Sequence, residues 1–188
     1  MQFPHPLIQG TLIKRYKRFL ADILLNGETI TAHCPNSGAL LGITPGMPVW
    51  VSRVPDTSNR KLRFTWELTQ QEDTYIGVNT HYPNTLVDMW LREKRIERFK
   101  NSKGFKREVK YGTSSRIDFL VEEQDGSLCY LEVKNVHHKE NTTALFPDSV
   151  TARGAKQMRE LMPLLDQGHK GVVLYVIQRS DITNFDIA

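Results

Sequence analysis

The chain has 188 residues, which is enough for one large domain or two small ones with a substantial hydrophobic core. Its hydrophobic content of 39% and charged content of 24% are typical of a soluble globular protein. No apolar run approaches the roughly 20 residues that a membrane helix needs. The first six residues lack the pattern of a signal peptide, and Cys34 and Cys129 are expected to be buried, reduced thiols. We therefore expect a cytoplasmic protein that does not bind membranes.

Six short strands are predicted in the first 80 residues, because apolar and β-branched runs there are bounded by turn residues. Asn26-Gly27 is a strong hairpin signal, since both turn positions favour positive φ. Many short strands in a small space favour a barrel or sandwich, and a five-stranded oligonucleotide-binding (OB) barrel is a natural candidate. The predicted strands are Leu7–Arg15, Phe19–Leu25, Glu28–His33, Val49–Arg53, Leu62–Thr69 and Tyr75–Val78.

The pattern changes to mixed helix and strand after residue 81. A helix is predicted from a cap at Asn84 or Thr85 to about Asn101. A second helix is predicted over 151–165, with an apolar face of Ala155, Met158, Leu161, Met162 and Leu165. Three strands are predicted between the helices, at Arg107–Tyr111, Ile117–Glu122 and Leu128–Val136.

The apolar run over residues 171–177 follows the second helix and is typical of a strand buried on both faces. The second half therefore has the order helix, three strands, helix, strand. We predict a two-domain α+β or α/β protein, with an OB-like barrel at residues 1–81 and a second domain at residues 82–188.

Positive charge is concentrated in one part of the sequence. Residues 92–110 contain 9 Lys and Arg residues and 3 Asp and Glu residues, whereas residues 111–188 contain 8 and 11. This basic band before an acidic segment suits a protein that holds a polyanion beside a metal ion. A solvated helix face is the usual explanation of an isolated charge run. The nucleic-acid contacts predicted in and after this band are Lys103, Lys106, Arg107 and Arg116.

Two acidic residues and a lysine in the second half indicate a chemical site. Asp118 alternates with apolar neighbours on one predicted strand, and Glu132 and Lys134 share a face of the next. A two-residue turn between the strands would place Asp118 opposite Val133. A three-residue turn, Gln124-Asp125-Gly126 with its glycine left-handed, would place Asp118 opposite Glu132. We predict the three-residue turn, with a metal ion or a lysine compensating the repulsion between the carboxylates.

Such a cluster has the groups that phosphodiester hydrolysis needs. Mg²⁺ and Mn²⁺ prefer oxygen ligands, which Asp118, Glu132 and the carbonyl of Val133 would supply. Lys134 would orient or activate the attacking water, or stabilise the transition state.

A further acidic residue often completes a site of this kind. Glu108 is the first candidate, because it lies on the adjoining predicted strand, and Glu97 on the first helix is the second. On the motif alone, an ordinary Glu/Lys pair on an exposed sheet face explains the residues equally well. The matching order of helices and strands favours the metal site.

Two other basic clusters are candidate nucleic-acid contacts. Arg153 and Lys156 lie on the polar face of the second predicted helix, where they would contact phosphate or simply be solvated. Lys14 and Arg15 lie among aromatic residues, as on a surface that binds single strands. Half of the side chains in that strand would instead point into the barrel core.

The Asp118 and Glu132-Val133-Lys134 motif resembles the signature of the PD-(D/E)xK nuclease superfamily, whose restriction-endonuclease-like core has the order αβββαβ. More of the chain is similar to the sugar fermentation stimulation protein family. The similar blocks are Pro35-Asn36-Ser37-Gly38, Glu108-Val109-Lys110-Tyr111-Gly112, Ser115-Arg116-Ile117-Asp118-Phe119, Glu132-Val133-Lys134-Asn135 and the segment from Phe146 to Gly154.

This resemblance implies an N-terminal OB barrel, a nuclease-like C-terminal domain, sequence-nonspecific DNA binding and a link to sugar (maltose) use in bacteria. It also implies that Glu108, Asp118, Glu132 and Lys134 form the metal site. Ala152 stands where many members have Glu, so no role is assigned to it. Relatives usually continue beyond the position of Ala188, so we expect a second domain truncated at its C-terminus.

Two functions are therefore expected. The first is a nonspecific DNA-binding protein, with RNA as a second ligand, that carries a nuclease site dependent on Mg²⁺ or Mn²⁺. The alternative is a catalytically silent DNA-binding regulator. The sequence leaves the oligomeric state open, a homodimer included.

Overall fold

A computed structural model describes residues 2–147 and 152–188, and for Arg153 the backbone alone. The chain divides into two compact units. The first unit consists of Met1–His81, Val136–Ser149 and Ile177–Ala188, and the second of Tyr82–Asn135 and Val150–Val176. Two segments that lie beyond the boundary expected at residue 81 thus group with the first unit.

The first unit is built on a six-stranded sheet in which five strands close into a ring. Its strands are β1 (Leu7–Tyr16), β2 (Leu20–Leu25), β3 (Glu28–His33), β4 (Pro48–Arg53), β5 (Phe64–Gln71) and β6 (Thr74–Gly77). They pair in the order β3-β2-β1-β4-β5-β6, a parallel pairing of β3 with β5 closes the ring, and β6 extends from β5. Ile23, Val49, Val51 and Trp66 fill its interior with no exposed surface. The barrel and its strand positions confirm the sequence prediction.

The first unit also contains a small sheet that the sequence analysis does not predict. Its strands pair in the order β10, β11, β13, and β11 runs parallel to β13. Strands this short carry too little alternation to be recognised from sequence. They are β10 (Lys139–Glu140), β11 (Thr143–Phe146) and β13 (Asn184–Ile187).

The second unit is a four-stranded sheet with two helices. In chain order its elements are α1 (Tyr82–Arg92), a 3₁₀ turn (Glu97–Phe99), β7 (Gly104–Tyr111), β8 (Ser115–Glu122), β9 (Leu128–Val136), α2 (Ala152–Asp166) and β12 (Lys170–Ile177). The strands pair in the order β12-β9-β8-β7. One apolar cluster joins α1 to Phe119 and Leu131, and another joins α2 to Tyr111 and Tyr130.

The first helix differs from its predicted bounds at both ends. It begins at Tyr82, with Pro83 in its first turn, where a missing N–H costs nothing. It ends at Arg92 rather than near residue 101, because Lys94 adopts a φ of 54°. The Arg95 and Lys94 N–H groups donate to the carbonyls of Trp90 and Leu91, at 2.8 and 3.2 Å. This is a Schellman motif formed without glycine, so no residue at this position signals the end of the helix.

The apolar face predicted for the second helix is partly wrong. Leu161 is buried, but Met162 and Leu165 are 62% and 41% exposed. The Tyr111 hydroxyl donates to the carbonyl of Gln157 at 3.0 Å, and this polar contact helps to set which side of α2 faces the sheet.

The prediction of a final strand buried on both faces is also wrong. Within β12 only Val176 is buried, because β12 lies at the sheet edge with β9 as its neighbour among the described strands.

Both cysteines are free and buried, as expected. Burial raises the pKa of the Cys129 thiol to about 11, so this thiol is protonated at neutral pH. Within the part of the chain that the structure covers, no helix is long and apolar enough to cross a membrane.

Candidate metal-binding site

The hairpin between β8 and β9 has the three-residue turn that the sequence predicts. The Glu123 N–H donates to the carbonyl of Ser127 at 2.9 Å, which leaves residues 124–126 as the turn. Gly126 takes the left-handed conformation with a φ of 83°. Phe119 pairs with Leu131, so the same register brings the next position, Asp118, opposite Glu132. The predicted turn and its register are confirmed, and the sharing of one sheet face by the two carboxylates stays a prediction.

Asp118 is held by one donor on each carboxylate oxygen. The Val133 N–H donates to Oδ2 at 2.7 Å. The Asn84 side-chain amide donates to Oδ1 at 2.9 Å. These two hydrogen bonds fix the orientation of the Asp118 carboxylate. Val133, the predicted carbonyl ligand, is itself buried in the core shared with α1.

Asn84 is a member of this site that the sequence pattern does not reveal. The pattern predicts a helix cap at Asn84, whereas the structure places this residue inside α1, in contact with Asp118. The contact spans 34 residues of sequence. No local sequence pattern links two positions so far apart, so the contact is seen only in the tertiary structure.

Glu132 and Lys134 form a close pair on the same face of β9. Glu132 is 4% exposed, and its Oε1 accepts a hydrogen bond from Lys134 Nζ at 2.6 Å. The Lys134 side chain retains 23% of its surface. The ammonium therefore supplies the positive charge expected to compensate the facing carboxylates.

Glu108 faces Asp118 from the other side but is held differently. Its neighbours Arg107 and Val109 pair with Phe119 and Ile117, so Glu108 occupies the position opposite Asp118. It adopts a φ of 51°, which is uncommon for a residue other than glycine, and its side chain is exposed. By this register, Glu108, Asp118 and Glu132 occupy corresponding positions on the neighbouring strands β7, β8 and β9.

Among the residues that the structure describes, no group of three or more His, Cys, Asp and Glu residues is close enough to hold a metal ion. Glu108 is therefore not gathered with Asp118 and Glu132 into one ligand set. The second candidate, Glu97, lies on the 3₁₀ turn, is 82% exposed and pairs with Lys100. Asp118, Glu132 and Lys134 are the predicted residues that the structure brings together.

This donor set fits a hard divalent cation that keeps part of its water shell. Mg²⁺ is commonly bound through one or two carboxylates, with waters and substrate phosphate as the other ligands. Asp118 and Glu132 supply two hard carboxylate donors. Each would share its oxygens with the hydrogen bonds already described.

Tyr111 is a buried neighbour that the sequence analysis did not include. Burial raises the pKa of its phenol, and the negative charge of Glu132 raises it further. The phenol therefore stays protonated at neutral pH, and its hydrogen is used in the bond to the carbonyl of Gln157.

Carboxylates within the second unit neutralise most of the predicted basic band. Asp88 pairs with both Arg92 and Arg107, and Lys103 lies 3.6 Å from Glu122. Six of the nine cations in residues 92–110 have such a partner, and these are Arg92, Arg95, Arg98, Lys100, Lys103 and Arg107. Lys106 is exposed. The band thus offers less free positive charge than its composition suggests.

The remaining predicted cations of the second unit lie near the β7–β8 turn. Arg116 is exposed and donates to the carbonyl of Glu108 at 2.9 Å. Lys156 donates to the hydroxyl of Ser114 at 2.6 Å and lies 3.8 Å from Glu160. The side chain of Arg153 lies outside the described residues.

Lys14 and Arg15 lie on β1 of the first unit. The Lys14 ammonium is 3.5 Å from Asp22 and 5.2 Å from the centre of the Tyr16 ring. The Arg15 guanidinium donates to the carbonyls of Arg18 and Asn36, at 3.0 and 2.7 Å.

Two family models match the chain. The model for the sugar fermentation stimulation protein RE domain matches residues 81–188, and the model for the SfsA N-terminal OB domain matches residues 13–78. Relatives called sugar fermentation stimulation protein homolog include one from Rhodospirillum centenum, 48% identical over 100% of this chain and 82% of its own length. Another, from Geotalea uraniireducens, is 49% identical over 96% of this chain and 78% of its own length.

A solved structure supports the same fold. The chain is similar to Pyrococcus furiosus SfsA, solved in complex with Ca²⁺, with a TM-score of 0.88 at 20% sequence identity. The match covers 100% of this chain and 79% of the other. An OB domain followed by a second domain of mixed strands and helices is therefore the fold of both proteins.

Proposed function

Since the chain belongs to the sugar fermentation stimulation protein family, we propose that it is a sequence-nonspecific DNA-binding protein of the bacterial cytoplasm with a Mg²⁺-dependent phosphodiesterase site in its second unit. The observation that carries the proposal is the facing pair Asp118 and Glu132, with Lys134 2.6 Å from Glu132. A sheet that served only structure would gain nothing from two opposed carboxylates.

Each residue of the site has a role in this proposal. Asp118 and Glu132 would hold Mg²⁺ or Mn²⁺, and Asn84 and the Val133 N–H would keep Asp118 oriented. The bound cation would supply charge for the phosphate oxygens and lower the pKa of a water. Lys134 would position the water or stabilise charge on the phosphate. The Ca²⁺ present in the archaeal relative's structure supports a divalent cation in this fold.

The test is a cleavage assay on single-stranded, duplex and branched DNA, and on RNA, with Mg²⁺ or Mn²⁺. We expect cleavage by the unaltered protein that stops when EDTA is added. We expect Asp118→Ala to lose cleavage while it still binds DNA. If the unaltered protein binds DNA but leaves every substrate intact with either metal, the phosphodiesterase is excluded.

The second candidate function is a catalytically silent DNA-binding regulator linked to sugar metabolism. It is favoured by the way protein donors already occupy both oxygens of Asp118 and Oε1 of Glu132. DNA binding that persists without any metal-dependent cleavage, in the same assay, would select this function. In either case affinity should fall steeply with salt, because phosphate contacts release counterions.

A further inference from the structure

A cleft of about 370 Å³ in the barrel of the first unit combines positive charge with an apolar wall. Lys14, Arg15, Tyr16 and Arg18, on β1 and the turn after it, line this cleft. Its apolar lining includes Leu40 and Ile43, between β3 and β4. None of its ten described lining residues is acidic. The cleft therefore suits a ligand that is anionic at one end and apolar at the other.

A β-bulge sets the side of β1 on which Lys14 lies. Leu12 pairs with Ile23 and Lys14 pairs with Asp22, so Ile13 is an extra residue between them. Without the bulge, Leu12 and Lys14 would share the core-facing side, because side chains alternate along a strand. The bulge moves Lys14 to the outer side, where its side chain is 62% exposed.

The turn after β1 holds further cations in an unusual backbone conformation. Lys17 and Arg18 have φ values of 48° and 61°, in the left-handed region that residues other than glycine seldom occupy. Arg15 is fixed by two backbone carbonyls. Strained non-glycine residues of this kind concentrate where a surface serves a ligand. Residues 14–18 contain four cations, and Asp22 is the carboxylate beside them. The local net charge is therefore +3.

We propose that this cleft binds one unpaired nucleotide of a nucleic-acid strand. The base packs between the Tyr16 ring and the apolar wall, and the flanking phosphates lie on Lys14 and Arg18. Aromatic stacking beside positive charge is how proteins hold single strands, and a base within a duplex is not free to enter such a cleft. Its volume lies in the range of ligand sites, about 300–1,000 Å³.

This inference rests on the proposed function to the extent that the ligand is a nucleic acid. It adds that a preference for unpaired strands resides in the barrel, independently of Asp118 and Glu132. The ligand is an unpaired nucleotide, which either DNA or RNA can supply.

The test measures fluorescence anisotropy of the full chain, in EDTA, with labelled oligothymidylate, oligouridylate and a DNA duplex of equal length. We expect Lys14→Glu to weaken single-strand binding about tenfold or more. Its matched control is Lys61→Glu, which makes the same charge change at an exposed position of the first unit outside the cleft. This control should change the affinity by less than about twofold.

Two variants of Tyr16 test the base contact itself. Tyr16→Leu should weaken single-strand binding roughly fivefold or more and leave duplex binding unchanged, because the stacking surface is lost while the cations remain. Tyr16→Phe keeps the ring but loses the hydroxyl that donates to Asp22 at 3.0 Å. It should therefore retain the single-strand affinity, and a Tyr16→Phe variant as weak as Tyr16→Leu would overturn the stacking role.

The salt dependence gives an independent measurement. The double variant Lys14→Ala/Arg18→Ala should reduce the slope of log affinity against log salt for single strands by about 1.4, because two phosphate contacts are lost. An unchanged slope would overturn the phosphate role.

The outcomes separate this inference from the proposed function. If Lys14→Glu and Lys61→Glu weaken binding equally, or Tyr16→Leu weakens duplex and single-strand binding equally, the cleft is not a site for an unpaired base. If the cleft variants bind like the unaltered protein while Asp118→Ala still abolishes cleavage, the cleft proposal alone fails. If the unaltered protein binds neither form of nucleic acid, the proposed function fails with it.

Discussion

Each unit of the protein buries one strand glutamate, and the two glutamates are held in different ways. Glu67 in the barrel is 3% exposed and accepts hydrogen bonds from Ser52 at 2.6 Å and Asn79 at 2.7 Å. Glu132 in the second unit is 4% exposed, pairs with Lys134 and faces Asp118.

The different partners of the two glutamates indicate a structural role for Glu67 and a role in chemistry for Glu132. Glu67 has neutral donors on both oxygens, which is how a buried polar group is satisfied when it serves only the fold. Glu132 is instead next to a second carboxylate, an arrangement that needs a positive charge to be tolerated. The contrast predicts that Glu132 serves metal-dependent chemistry and that Glu67 serves stability.

The largest expected effect is on cleavage by the Glu132→Gln variant. Loss of one cation ligand should lower the cleavage rate by about 10²–10³-fold, comparable to removal of one preorganised charge-stabilising group. Rates under single-turnover conditions measure this effect. The matched control is Glu67→Gln, which makes the same change at the other buried glutamate and should cleave at the unaltered rate. Equal losses in both variants would contradict the assignment.

The next effect is on stability, in the Glu67→Ala variant. It should destabilise the barrel by about 2–4 kcal/mol, because the substitution opens a cavity and leaves the Ser52 and Asn79 donors without their acceptor. Urea unfolding followed by barrel tryptophan fluorescence measures the change. A variant as stable as the unaltered protein would show that Glu67 is not the structural carboxylate of the pair.

A smaller effect is expected on metal affinity in the Asn84→Asp variant. The new carboxylate would adjoin Asp118, so it should raise affinity for Mn²⁺ roughly tenfold by adding ligand charge. Without metal, like-charge repulsion should lower the melting temperature, and Mn²⁺ should restore it. Asn84→Ala is the control, since it removes the amide without adding charge. Identical Mn²⁺ affinities for the two variants would show that no cation binds beside Asp118.

The smallest effect concerns Glu160, a carboxylate of the second unit that lies outside the proposed site. Hydrogen bonds from the Ser115 and Thr113 hydroxyls lower its pKa from 4.5 to about 2. A carboxylate with a depressed pKa stabilises the fold fully above its unfolded pKa, and this contribution is lost as the pH falls from about 4.5 towards 2. The melting temperature of Glu160→Gln should therefore lie slightly below that of the unaltered protein at pH 7, and the difference should shrink over that range. A difference that grows towards pH 2 would contradict this assignment.

Sequence patterns predicted most of the strands because their signals are local. Asn26-Gly27 fixes one hairpin, and Gly126 with its flanking alternation fixes the register that brings Asp118 opposite Glu132. Features without a local signal were missed or wrong. Lys94 ends α1 in a conformation usually taken by glycine, and the contact between Asn84 and Asp118 joins distant parts of the chain.

The basic band shows a second limit of sequence reasoning. Composition counts the charges of residues 92–110, but it does not show that Asp88 pairs with two of the arginines or that Glu123 pairs with a third. The sequence also contains no signal for the bulge at Ile13, although this bulge determines on which side of β1 Lys14 lies. Charge pairing and bulges depend on contacts between strands, so they required the structure.

The most direct test of the central claim is calorimetric titration of Mn²⁺ and Mg²⁺ into the unaltered protein and three variants, Asp118→Asn, Glu132→Gln and Glu67→Gln. We expect one cation site in the unaltered protein and in Glu67→Gln, and a loss of at least about tenfold in affinity in Asp118→Asn and in Glu132→Gln. Cation binding of unchanged affinity in the Asp118→Asn and Glu132→Gln variants, or no binding to the unaltered protein, would contradict the claim that the facing carboxylates form a metal site.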